Sequence, residues 1–292
     1  MFPKFRAKCS SAAPLTRSIS SDGFAVPSNL DITQPVNEVP LLPIAPDLSI
    51  RLCPLTPRQA AHNWATKVSG EARGEARDAP TTVAFMNMRN YMAMIRSRDA
   101  SQAFSVMDQV YPDGVGLQLA RRITSLPQFK RVSGTDTVPL MLSELPAGTR
   151  VFLVGGPQGA LPRLHAAFGR LFPHLVLAGL QHGFFGLKDE PALAARIAAT
   201  RTTIVLVGMG SPQQELWVQR NRHCVFARLI VCVGGLFQYW TGDLSRAPRL
   251  VRALGLEWLC ILVQQPYKLR IYTVDAVCFL ARVARLSRIH PK

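Results

Sequence analysis

Short apolar runs that end in glycine turns recur along this chain. Thr81-Thr82-Val83-Ala84-Phe85-Met86 has no polar alternation, the pattern of a strand covered on both faces. A helix follows it, with Tyr91, Met94 and Ile95 on one side. Ser101 to Met107 reads as a second short helix. Val106 to Val110 then leads into Tyr111-Pro112-Asp113-Gly114-Val115-Gly116, and Leu117 to Arg122 reads as helical. Three more runs repeat the scheme. Arg150 to Val154 precedes Gly155-Gly156-Pro157-Gln158-Gly159 and a helix through Leu171. Thr203 to Val207 precedes Gly208-Met209-Gly210-Ser211-Pro212 and a helix containing Trp217. Leu229 to Val233 precedes Gly234-Gly235-Leu236-Phe237. Strand, glycine turn and helix in repetition predict an α/β fold with a mostly parallel sheet flanked by helices. Ligands of such sheets bind at the carboxyl ends of the strands, where these turns lie.

The pattern divides the chain into three parts. Residues 1–54 read as an irregular extension rich in Ser and Pro. Residues 55–242 form the α/β core. It opens with a helix at Thr56-Pro57, since Pro suits the first helical turn, and Gly70 to Pro80 reads as a loop. Residues 243–292 read as a basic amphipathic helical segment. Arg246, Arg249, Arg252, Lys268, Arg270, Arg282, Arg285 and Arg288 alternate there with Trp258, Leu259, Ile261, Leu262, Tyr267, Ile271, Tyr272 and Phe279. That mixture suits a segment lying at a membrane interface. Helices packed on the core with arginines outward have the same pattern, and both readings stay open.

Charge narrows the choice of partner. The chain has 292 residues, 34 Lys and Arg against 18 Asp and Glu, and a formal charge of +16. Such a balance favours anionic partners: nucleic acid, nucleotide phosphates or an anionic membrane surface. The six cysteines include no Cys-x-x-Cys pair and no zinc spacing, and read as small hydrophobes in a reducing compartment. The basic amino terminus lacks the apolar stretch of a signal peptide, and no apolar run reaches the ~18 residues of a spanning helix.

Few residues present themselves for chemistry. Asp113 closes an apolar stretch, where a carboxylate is able to take a proton from a hydroxyl; Pro-Asp-Gly is also an ordinary turn sequence. The glycine turns offer backbone amides to phosphate, yet none has the full Walker or dinucleotide pattern. Ser211, Pro212 and Glu215 read as helix-capping residues. His165 and His182 are isolated and read as surface or packing residues.

Taken in order, these segments resemble the bacterial WecG/TagA/CpsF glycosyltransferases. The pieces are Asn87, Asp113-Gly114-Val115-Gly116, Arg131-Val132-Ser133-Gly134-Thr135-Asp136, and Gly155-Gly156-Pro157-Gln158-Gly159-Ala160. After Gly183-Phe184-Phe185 come Gly208-Met209-Gly210-Ser211-Pro212-Gln213-Gln214-Glu215, Gly234-Gly235-Leu236-Phe237, Arg246-Ala247-Pro248 and Gly255-Leu256-Glu257-Trp258. The resemblance implies a Rossmann-like core and an inverting, metal-independent transfer from a UDP-sugar to an undecaprenyl-diphosphate-linked sugar, with no cofactor. It puts Asp113 and Asn87 at the catalytic centre. It assigns Gly155, Gly156, Gln158, Gly210, Gln213, Glu215, Gly234 and Phe237 to the donor. It makes the C-terminal segment a membrane-docking appendage whose Arg246, Arg249 and Arg270 hold the diphosphate. The expected setting is the inner, cytoplasmic face of a bacterial membrane, without nucleic acid, with homo-oligomerisation open. Two positions depart from the family: Gln238 and Gln265 stand where Asp and Glu are common, which bears on local contacts and donor choice. Phe237-x-Tyr239-Trp240-x-Gly242 and the basic tail are similar to the GumM-like exopolysaccharide branch. A nucleotide-dependent oxidoreductase and a nucleic-acid-binding protein are the alternatives. The first lacks the acidic ribose partner expected about ~20 residues past the glycine turn.

Overall fold

The fold is built on a six-stranded parallel sheet in the order β4-β3-β8-β7-β5-β6. The structure is a computed structural model that describes residues 41–45, 48–70, 79–124, 129–248, 250–251 and 255–289. Its strands are β3 (Thr81–Met86), β4 (Gln109–Pro112), β5 (Arg150–Gly155), β6 (Val176–Gln181), β7 (Ile204–Gly208) and β8 (Leu229–Cys232). Every neighbouring pair in the sheet is parallel. Before them runs α1 (Pro57–Ser69), and between them α2 (Met88–Arg96), α3 (Arg98–Ser105), α4 (Val115–Ile123), α5 (Gly134–Glu144), α6 (Leu161–Leu171), α7 (Glu190–Ala199) and α8 (Gln213–Asn221). After β8 come α9 (Leu236–Thr241), α10 (Glu257–Gln264), α11 (Leu269–Tyr272) and α12 (Val274–Ile289).

The strands read as uninterrupted apolar runs because both faces of the sheet are covered. Successive side chains alternate between two cores. Val83, Phe85, Val151, Leu153, Ile204, Leu206, Leu229 and Val231 face α1, α5, α6 and α9. Ala84, Met86, Phe152, Val154, Val205, Val207, Ile230 and Cys232 face α2, α3, α7, α8 and α12. Trp64 anchors the first core, edge-on to Tyr111 at 5.2 Å, with its indole N–H donating to Gln109 Oε1 at 2.8 Å.

Three elements differ from the expectation. Residues 41–51, read as irregular, contain an antiparallel hairpin of β1 (Leu41–Ala45) and β2 (Leu48–Arg51). Leu42, Ile44 and Ile50 are buried in it, but Pro43 and Pro46 interrupt the alternation that marks a strand. Residues 1–40 of that extension, and 71–78 of the following loop, lie outside the described residues. Strand β6 is only half-buried and carries Gly179, whose missing side chain leaves room for the Phe152 ring. That glycine and that exposure blur its sequence signal.

The C-terminal segment divides into one helix that packs on the core and two that bury no residue fully. Helix α12 packs inward through Phe279, Val283 and Leu286. Phe279 meets Tyr91 edge-on at 4.9 Å, and the Tyr91 hydroxyl donates to Pro43 O at 2.9 Å. Buried Asp275 accepts from Arg96. Helices α10 and α11 bury no residue fully, and Val263 and Tyr267 stand 83% and 75% exposed.

If α12 is part of the core, Phe279→Ala removes a fully enclosed ring and should cost roughly 3–5 kcal/mol. Denaturant titration should show a lower midpoint. A midpoint equal to the wild type would make α12 an add-on.

Candidate active site

One cavity of about 520 Å³ opens at the carboxyl ends of β4, β3, β8 and β7. Its polar wall starts where β3 ends. Asn87 caps α2, with Oδ1 accepting from Asn90 N–H at 3.0 Å. Asn90 turns back to donate to Phe85 O at 2.6 Å. In the neighbouring strand, Asp113 N–H donates to Met86 O at 2.7 Å, so the end of β4 is pinned to the end of β3. This puts Asn87 and Asp113 side by side on the cavity wall.

The chain turns sharply after Asp113. Gly114 has φ +82°, a left-handed conformation that favours glycine, and its N–H donates to Asp113 Oδ1 at 2.7 Å. Val132 N–H donates to Pro112 O at 2.8 Å and brings Arg131 to the same wall. Burial pushes the Asp113 carboxyl up from its ordinary 3.8 to about 6. The Arg131 charge and the Gly114 amide oppose this rise, while Glu257 and Asp136 add to it. A carboxylate of this kind, still partly open to the cavity, is suited to accept a proton near neutral pH.

The facing wall is held by Gln214. Its Oε1 accepts from Gly234 N–H at 3.0 Å and its Nε2 donates to Glu215 Oε1 at 2.8 Å. One side chain therefore joins the β7 turn to the β8 turn. Gly210 and Gly234 line the cavity, both with positive φ. The remaining wall is apolar: Val115 and Leu119 of α4, Ile261, Ile271, Ala276 and Leu280.

Of the residues chosen from sequence, Asp113, Asn87, Gly210 and Gly234 meet at this cavity. The others do not line it, for identifiable reasons. Gly155, with φ +145°, allows close contact with the Gly208 backbone, and Gly156 and the exposed Gln158 follow it away from the cavity. Phe237 is buried beside Trp240 at 5.7 Å and fills the space over Gly208. Gln213 is exposed, whereas Gln214, one residue on, faces the cavity. Glu215 lies in the first turn of α8, where the capping reading put it, but does not line the cavity. It is fully buried, its carboxyl raised by burial and held down partly by Gln214. His165 and His182 do not line the cavity.

The cations sort differently from the expectation. Arg246 does not line the cavity. It forks onto Asp136 at 2.8 and 3.0 Å, lies 3.7 Å from Glu257, and sits over the Tyr239 ring at 5.6 Å. Arg270 is exposed and away from the cavity, and Arg249 lies outside the described residues. The cations that do line the cavity are Arg89, Arg131 and Lys268. Arg131 pairs with Glu257 at 3.4 Å, while Arg89 and Lys268 form no ion pair among the described residues. Burial, and secondarily Arg89, lowers the Lys268 ammonium. Gln238 and the tilted ring pair Trp258 and Tyr272, 5.8 Å apart, also line the cavity. Arg131 and Glu257 stood in the Arg-x-x-Gly-x-Asp and Gly-Leu-Glu-Trp elements, but spacing alone gave no reason to single them out. Among the described residues, no three His, Cys, Asp or Glu side chains form a metal-binding cluster. Nor is any helix long and apolar enough to cross a membrane.

A carboxylate at the carboxyl ends of a parallel sheet, flanked by cations and an apolar wall, is an arrangement for proton transfer beside an anionic ligand. The family model described as Glycosyl transferase WecG/TagA/CpsF family matches residues 50–292, which takes in every strand of the sheet and every residue of the cavity. On that match the chain belongs to the WecG/TagA/CpsF family of glycosyl transferases.

Proposed function

We propose that this glycosyltransferase moves a sugar, with inversion, from a UDP-sugar to a sugar carried on undecaprenyl diphosphate, in the building of a cell-surface or exopolysaccharide chain. The observation that carries the reading is the Asp113 carboxyl on the cavity wall, raised to about 6. In the step, an acceptor hydroxyl gives its proton to Asp113 as its oxygen bonds to the anomeric carbon. The bond from that carbon to the diphosphate oxygen breaks, and UDP leaves with the electron pair. Inversion follows from attack opposite the leaving group.

A departing diphosphate needs positive charge. Arg89 and Lys268 supply it without first surrendering an ion pair, whereas Arg246 is committed to Asp136 and Glu257. This is the basis for proposing transfer without a divalent cation or cofactor. The exposed Val263, Tyr267 and Leu269 beside Arg270 support docking on an anionic membrane face. Binding there would set the cavity near a lipid-linked acceptor, at the inner face of the cytoplasmic membrane.

Asp113→Asn should lower turnover by ~10²–10⁴. The same change should make the protein more stable at neutral pH. A carboxyl whose pKa is higher folded than unfolded holds extra protons when folded, so it loses stability as pH rises from 3.8 toward about 6. Asparagine avoids that loss, and the gain should vanish below pH ~4. Thermal melts at pH 7.5 and pH 4, run beside a UDP-release assay, check both halves. Near-wild-type turnover would remove Asp113 from the chemistry.

The wild-type rate should rise with pH through about 6 and then level, as Asp113 ionises. Turnover should also persist in excess EDTA, and loss restored by Mg²⁺ or Mn²⁺ would contradict cation-assisted departure. Lys268→Gln should raise the donor KM by about 10–100-fold, the cost of losing one charge-assisted bond. An unchanged KM would move the diphosphate elsewhere.

A further inference from the structure

Glu257 stands out among the groups around the cavity. The segment from residue 257 to 289 holds just two acids, Glu257 and Asp275, and Asp275 is spent on Arg96. Glu257 is largely buried, with a side chain 16% exposed, and it lines the cavity. One carboxylate oxygen lies 3.4 Å from Arg131 Nη2 and the other 3.7 Å from Arg246 Nη2. Arg246 in turn grips Asp136 of α5. A chain of ion pairs results, Arg131, Glu257, Arg246 and Asp136, and its first member shares the cavity wall with Asp113. Arg131 belongs to the strand-end wall with Asp113, Glu257 to α10, Arg246 to the link between α9 and α10, and Asp136 to α5.

We propose that Glu257 is a positioning residue of the active site: by bridging Arg131 and Arg246 it holds Arg131 beside Asp113 and offsets its charge, so that seating of the C-terminal segment sets how readily Asp113 takes a proton. Without Glu257, Arg131 faces Asp113 uncompensated and holds it as a weak base. With Glu257 seated, the guanidinium is shared, and Asp113 keeps its affinity for a proton. The electrostatic directions agree with the geometry, since Arg131 lowers the Asp113 carboxyl while Glu257 and Asp136 raise it. Tyr239 of α9 and Tyr272 of α11 are further titratable groups around this carboxyl, beside Arg89 and Lys268, which line the same cavity. Both phenols are raised, chiefly by burial, with Glu257 and Asp113 contributing in the same direction. Burial keeps the Tyr239 phenol neutral up to about 12, so it does not compete with Asp113 near neutral pH. The inference deepens the reading of Asp113 as the base and rests on it for its kinetic arm.

The test titrates Asp113 directly, by carboxyl ¹³C NMR on protein labelled at Asp, with Asp113→Asn identifying the resonance. No substrate is needed. Glu257→Gln should move the midpoint to lower pH, and Glu257→Asp, which restores the charge on a shorter stem, should bring it back toward the wild type. In transfer assays the acid limb of the pH–rate profile should move down with it and the plateau should fall several-fold. A side chain that only completed the packing would lower the rate equally at every pH. An unmoved Asp113 midpoint in Glu257→Gln overturns the proposal. Should that variant fail to fold, Arg131→Gln decides: its midpoint must rise above the wild type, and an unchanged one overturns the proposal. If the midpoints move as stated but Asp113→Asn retains full turnover, the reading of Asp113 as the base fails while the coupling stands.

Discussion

The hydrogen bond from Asp113 N–H to Met86 O, at 2.7 Å, is the contact on which the site depends. It aligns the ends of two parallel strands so that the first residues beyond them, Asn87 and Asp113, share one wall. Parallel pairing makes this possible, because both chains leave the sheet on the same edge. The same edge brings in Gly210 and Gly234 from β7 and β8, joined through Gln214. The chemistry is thus held by backbone geometry, with side chains added to a frame that the two cores already fix.

Charge is distributed with more economy than the overall +16 suggests. At the cavity the arrangement is tighter. Arg131 on its wall and Arg246 beyond it are paired with Glu257 and Asp136, whereas Arg89 and Lys268 line it without an ion pair among the described residues. A burial penalty that no full ion pair cancels explains why Asp113 differs from an ordinary surface carboxylate.

The parallel sheet was legible because β3, β5, β7 and β8 each carry an unbroken apolar run that leads to a glycine turn or to the site. The hairpin was not, since prolines break its alternation, and β6 was not, since Gly179 and solvent exposure weaken it. The site was half legible. Asp113 and Asn87 were readable from an ordered set of motifs. Three glycine turns looked alike in sequence, yet the one at Gly155 is spent on contact with Gly208 rather than on a cavity. Gln213 and Gln214 are adjacent and chemically identical; only the direction of the first turn of α8 tells them apart. Arg246 illustrates the same limit, because an arginine's partner depends on which acids the fold brings near it.

Helix α12 and the hairpin of β1 and β2, far apart in sequence, meet behind the cavity wall. Phe279 rests on Tyr91, and Tyr91 reaches Pro43, so one column of contacts runs from the last helix through α2 to the first hairpin. Helix α2 is also the helix that Asn87 caps. Its clamp and its cap lie at one end: Tyr91, held between α12 and the hairpin, donates its N–H to Asn87 O at 2.9 Å, directly behind the cavity wall. A repacking mutation in α12 or in the hairpin would therefore reach Asn87 within one helical turn, and its effect would be felt in the alignment of the cavity wall before it was visible as unfolding.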